Sequence, residues 1–146
     1  MTAAKKRTKR YNPNRVTPRI PITRPLLDIF AQDLHFSLMS ATLGHFGHDQ
    51  FDKIGGSLNI IWAALSKRPP KDPAILVCIE GAMRAMNQCG ARGDRTGTWT
   101  LTIEEQAAVR AGIQKAEEAL PYLDVMALYR ARNICEEIRA EERQAA

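Results

Sequence analysis

After Pro25 the apolar residues recur at three- and four-residue steps through most of the chain. Leu26, Leu27, Phe30, Leu34, Leu38 and Leu43 predict an amphipathic helix over about 25–43, with Pro25 in its first turn and Gly44 and Gly47 ending it. Phe51, Ile54, Leu58, Ile61, Trp62 and Leu65 predict a second helix over about 49–67. Asp49 suits its N-cap, and Asp52 favours the positive end of its dipole. Gly55-Gly56 costs about 1 kcal/mol per glycine relative to alanine, so the pair marks either a kink or a close approach of another helix. Lys67-Arg68-Pro69-Pro70 stops this helix with cations and a breaker.

Asp72-Pro73 opens a third helix, about 73–89, with Ile75, Leu76, Ile79, Met83 and Met86 as its stripe and Gly90 as its stop. Residues 90–101 then form a loop dense in glycine, threonine and arginine. Thr102-Ile103-Glu104-Glu105 is a capping box, so a fourth helix starts at 103 and uses Ile103, Ala107, Ile113, Ala116 and Leu120. Pro121 kinks this helix or separates it from a stretch at about 122–142. That stretch carries Leu123, Val125, Met126, Leu128, Ile134, Cys135 and Ile138. A kink is favoured, because no glycine or turn cluster surrounds Pro121. The expected fold class is all-α: a small bundle of four or five helices with short antiparallel connections.

The first segment departs from this pattern. Prolines at 13, 18, 21 and 25 fix their own φ and push the preceding residues toward extended backbone. Residues 1–24 therefore form an extended, polyproline-like arm, and 25–146 a single helical domain. Val16, Ile20 and Ile22 are suited to pin the end of the arm against the body.

Charge sharpens the division. Lys5, Lys6, Arg7, Lys9, Arg10, Arg15, Arg19 and Arg24 all fall in the arm, with no Asp or Glu among them. The rest of the chain holds thirteen Lys/Arg and all sixteen Asp/Glu, so a strongly basic arm is joined to a mildly acidic body. Blocks of like charge stay solvated and engage polyanions. Lys5, Lys6, Arg7, Lys9, Arg10 and Arg15 are the candidate phosphate contacts, and Tyr11 is placed to stack on a base. A solubilising tail and a contact with an acidic protein surface are the alternatives.

No stretch approaches a membrane span, and the basic start is followed by prolines rather than an apolar signal core. Cys78, Cys89 and Cys135 are odd in number and widely spaced, which fits structural thiols in a reducing compartment. A cytoplasmic location and the absence of a membrane partner follow as expectations.

Two clusters carry possible chemistry. His35, His45, His48, Asp49 and Asp52 hold imidazoles and carboxylates at three- and four-residue spacings, and His45, His48 and Asp52 are the candidate metal ligands. No H-x-x-x-H or H-E-x-x-H occurs, so a polar turn with a capping aspartate is the plainer reading. The Gly90–Thr100 loop offers Arg92, Arg95 and Trp99 to an anion or a partner protein, though it is not a P-loop. No serine elbow, cysteine–histidine arrangement or paired-carboxylate motif is visible.

Lys-Arg-Tyr-Asn-Pro at 9–13, Gly-Asp-Arg-Thr-Gly-Thr-Trp-Thr-Leu at 93–101 and the acidic helical end resemble small uncharacterised proteins of phages and integrated elements of Gram-negative bacteria. Asn-Pro stands here where that group has Arg-Pro. The resemblance implies a mobile-element accessory protein with a regulatory or anti-defence binding role, and transfers no functional residue. The expected function is thus non-enzymatic binding, without a cofactor, to a host or phage protein complex, with the arm on nucleic acid. A homodimer is compatible with this. The competing expectation is a small metal-dependent enzyme built on the 35–52 cluster.

Overall fold

The computed structural model describes residues 20–146. Five α-helices and one 3₁₀ turn account for most of this span: α1 (Arg24–Thr42), α2 (His48–Lys67), α3 (Pro73–Thr96), α4 (Ile103–Ala119), the 3₁₀ turn Leu120–Tyr122, and α5 (Val125–Ala145). The residue pairs that meet show antiparallel neighbours throughout. On α1 and α4, Thr42 reaches Gln106 at 3.4 Å while His35 meets Glu117 at 2.5 Å. On α2 and α3, Trp62 Nε1 donates to Glu80 Oε1 at 3.2 Å. The molecule therefore has two ends. One gathers the N-termini of α1, α3 and α5 with the C-termini of α2 and α4. The other holds the opposite termini.

The core is apolar and continuous: Leu34, Leu38, Ile54, Leu58, Ile61, Ile79, Met86, Val109 and Ile113 are buried, with Cys89 among them. The tightest approach is between α3 and α4. At Gly112 a Cβ would overlap Ala82 Cβ and lie 3.1 Å from the Cys78 carbonyl oxygen. Small residues at this crossing let the two backbones close on each other, so most of the core sits beneath them.

Helix starts follow the sequence with one shift. Asp72 accepts from Ala74 N at 3.0 Å, and Thr102 and Glu105 close the expected box at 3.2 and 3.0 Å. Asp49, however, is not the N-cap of α2. Gly47 holds that position, its N–H donates to Gln50 Oε1 at 2.9 Å, and Asp49 lies in the first turn. This bond is the glutamine half of a capping box; Gly47 has no side chain to supply the other half. Gly55-Gly56 does not kink α2. Arg139 of α5 lays its guanidinium over Gly56, at 3.0 Å from where a Cβ would stand.

Two expectations of element length are corrected. Gly90 does not stop α3, which runs on to Thr96. Gly90 and Gly93 are buried in that helix because Phe51 lies against the first and the Trp99 indole against the second, where a Cβ would collide. The helix ends instead at Gly97, in the left-handed region at φ 72°, whose N–H donates to Gly93 O at 2.7 Å. Second, α4 does not kink through Pro121. It ends, the 3₁₀ turn Leu120–Tyr122 intervenes, and Asp124 caps a new helix by accepting from Met126 N at 2.8 Å. Proline begins a turn there as readily as it bends a helix, and the cap lies three residues on.

Some apolar side chains stand outside the core. Ile103 is 81% exposed, so the α4 stripe is carried by Val109, Gly112, Ile113, Ala116 and Ala119 instead. Trp62, on the core stripe by spacing, is half-buried at the α2–α3 seam because its indole N–H turns outward to Glu80. No described helix is long and apolar enough to cross a membrane.

Candidate functional site

The arm residues Lys5, Lys6, Arg7, Lys9, Arg10, Tyr11 and Arg15 lie outside the described residues, as does Val16. The point where the arm joins the body is described. Val125 N donates to Ile20 O at 3.0 Å, and Pro21 bridges Asp124. Ile22 is half-buried against the core. The start of α5 thus holds the chain just before α1.

That junction borders a group of basic residues on the body. A concavity of about 200 Å³ is lined by Lys67, Arg68, Arg130, Tyr122, Asp124 and Ala131 among others. A second, of about 600 Å³, shares Arg68, Tyr122 and Leu123 with it and adds Lys71 and Asp72. Lys67, Arg68, Lys71 and Arg130 are exposed, and none forms an ion pair with a described residue. The two aspartates are occupied as helix caps. The N-terminal ends of α1, α3 and α5 and the C-terminal ends of α2 and α4 meet at this end, so their partial charges largely offset each other. Tyr122 is 79% exposed between the two concavities. Four cations against two carboxylates, with an exposed aromatic ring, leave a net positive end suited to an extended anion.

The other end is built differently. Arg92 lies on α3, not in a loop. Its guanidinium donates to Glu105 Oε1 at 2.8 Å, to Glu105 Oε2 at 2.5 Å and to the Thr100 carbonyl at 2.6 Å. This bidentate grip holds the Glu105 carboxyl below its usual range and raises Arg92 further. Burial pushes the nearby Cys89 thiol up, with Arg92 opposing and Glu105 assisting. Trp99 packs on Gly93, meets the His48 ring edge-on at 5.0 Å, and keeps its Nε1 buried without an acceptor among the described residues. Arg95 is exposed in the last turn of α3. The expected glycine-rich anion cradle does not form, because its backbone is helical through Thr96 and its first arginine is taken by Glu105.

The histidines do not converge. His48 Nδ1 lies 3.3 Å from Asp52 Oδ2, while His35 sits on the α1–α4 seam against Glu117, and His45 is exposed. Among the described residues no three His, Cys, Asp or Glu side chains come together in a metal-binding group. All three cysteines are unpaired thiols, with Cys89 fully buried.

The Lys67–Arg68–Lys71–Arg130 cluster is absent from the sequence-derived candidates. Lys67-Arg68-Pro69-Pro70-Lys71 is visible as a short basic run, but it serves equally as a helix stop. Arg130 joins it only through the packing of α5 on α2. Comparison with protein-family models, curated proteins and solved structures found no match.

Proposed function

We propose that this chain is a non-enzymatic binding protein that grips the phosphate backbone of a nucleic acid with one end of its bundle. The arm supplies a block of like charge in its sequence, and Lys67, Arg68, Lys71 and Arg130 supply cations on the body beside its attachment. The observation that carries this reading is that junction: Ile20 is tied to Val125 beside a concavity lined by three unpaired cations.

Phosphate contacts position a protein without reading sequence. Binding is therefore salt-sensitive and nearly indifferent to sequence. A regulatory or anti-defence role would take its specificity from a protein partner on another face. At the far end only Arg95, of the three residues first considered for that role, is not already engaged within the fold.

Fluorescence anisotropy with labelled duplex and single-stranded oligonucleotides tests the proposal. Affinity is expected to fall steeply with salt and to vary little among sequences. Replacing Lys5, Lys6, Arg7, Lys9 and Arg10 by glutamine should weaken all complexes alike, lowering the salt slope by about 0.9 per lost duplex contact and about 0.7 per lost single-strand contact. Absence of binding at low salt, or tight binding untouched by salt, would overturn it.

A further inference from the structure

Helix α1 is apolar on two sides. One face, with Leu34, Leu38 and the half-buried Leu27 and Phe30, enters the core. The opposite face presents Ile29, Phe36, Met39 and Leu43, exposed by 60, 64, 51 and 65%. Ile29, Phe36 and Leu43 are spaced by seven residues, with Met39 between the last two. This is the spacing of a helix that meets another helix along a seam. A single surface apolar residue needs no explanation, but four along one helix do.

We propose that two copies of this chain pair through α1, antiparallel across a twofold axis at Phe36. The argument for a second copy is self-complementarity. An aliphatic residue stands seven positions before Phe36 and another seven positions after it. An antiparallel pairing centred there sets Ile29 of each copy against Leu43 of the other and Phe36 against its own counterpart. A twofold interface requires one patch to match itself in this way. The flanking positions do not oppose it: Gln32 and Ser40 are uncharged, and Asp33 is drawn aside toward Lys53 Nζ at 3.6 Å. The area is also adequate. Four large side chains, each at least half exposed, present on the order of 400 Å² of apolar surface per copy, against about 800 Å² of all surface per partner in a standard interface. The polar rim of α1 supplies the remainder. This inference stands independently of the nucleic-acid reading, since the basic end lies at the termini of the helices and not on this face.

Sedimentation equilibrium of the full chain should show a monomer–dimer equilibrium in the micromolar range. Phe36→Asp should shift it toward monomer by about 30-fold or more, since the central aromatic is the expected hot spot. Its melting temperature extrapolated to monomer should be unchanged, because the side chain is exposed in the monomer. Val77→Asp, at an equally exposed apolar position on α3, should leave the dimer intact. In a chain with Cys78, Cys89 and Cys135 replaced by alanine, Phe36→Cys should cross-link to itself on mild oxidation faster than Val77→Cys. A monomer at every concentration, a dimer indifferent to Phe36→Asp, or equal cross-linking at positions 36 and 77 would each overturn the proposal.

Discussion

Replacing Arg92 by methionine tests how the α3–α4 end is held. The guanidinium makes three hydrogen bonds, two to Glu105 and one to the Thr100 carbonyl. Methionine keeps the stem packing and removes all three. Glu105 is 7% exposed and would retain only the Thr102 N–H, at 3.0 Å. Breaking a fully buried ion pair costs about 3–5 kcal/mol, because a charge is left desolvated. Here the Arg92 side chain is 29% exposed, so water can enter the vacated space. Discounting for that access gives about 2–3 kcal/mol. For a domain of this size the loss lowers the melting temperature by roughly 10 °C. Adding Glu105→Gln should restore part of it, since the stranded charge is gone, and a double-mutant cycle should give a coupling of about 1–3 kcal/mol. The pH dependence has a definite sign. Glu105 is depressed in the folded protein, so its contribution is present above the unfolded value of about 4.3 and disappears as pH falls through the folded one. Thermal melts between neutral and acid pH should therefore converge for wild type and Arg92→Met. A cost below about 0.5 kcal/mol at neutral pH, or additive single mutants, would refute the reasoning.

Gly112→Leu should be severely destabilising, by more than about 3 kcal/mol, because its side chain must enter the α3–α4 contact against Ala82 and the Cys78 carbonyl; denaturant titration checks this, and a near-neutral effect would mean that the helices do not cross there. Cys89 should react with a thiol reagent at mildly alkaline pH far more slowly than Cys78 and Cys135, since it is fully buried and its thiol is shifted upward; equal rates in single-cysteine variants would show that the α3–α4 end opens readily.

Helix order and most helix starts were legible because they rest on local signals. The Thr102–Glu105 box and the Asp72 cap are short-range chemistry, and the structure forms both as the sequence predicts. Failures came where a distant residue decides. Gly90 resembles a helix stop until Phe51 is seen lying on it. Pro121, with no turn cluster around it, favours a kink, and the Asp124 cap three residues on decides for a new helix instead. The arrangement at the candidate site was the least legible. Arg92 seemed available in a flexible loop, yet the same capping box that starts α4 presents Glu105 to it. Lys67 and Arg68 seemed to be only a helix terminator, and Arg130 one charge among many on a mixed helix. Their proximity follows from α2 and α5 packing side by side, which no local pattern encodes.

The central claim is that the body, and not the arm alone, contacts phosphate. The most direct measurement is the salt dependence of duplex binding for the full chain and for a variant carrying Lys67→Gln, Arg68→Gln, Lys71→Gln and Arg130→Gln, with the arm intact in both. These exposed substitutions should leave the melting temperature within a few degrees. If all four cations meet phosphate, the slope of log affinity against log salt should fall in magnitude by about 3–4 and binding should weaken for every sequence tested. An unchanged slope and affinity in the folded variant would contradict the account and leave the basic end of the bundle without a role in binding.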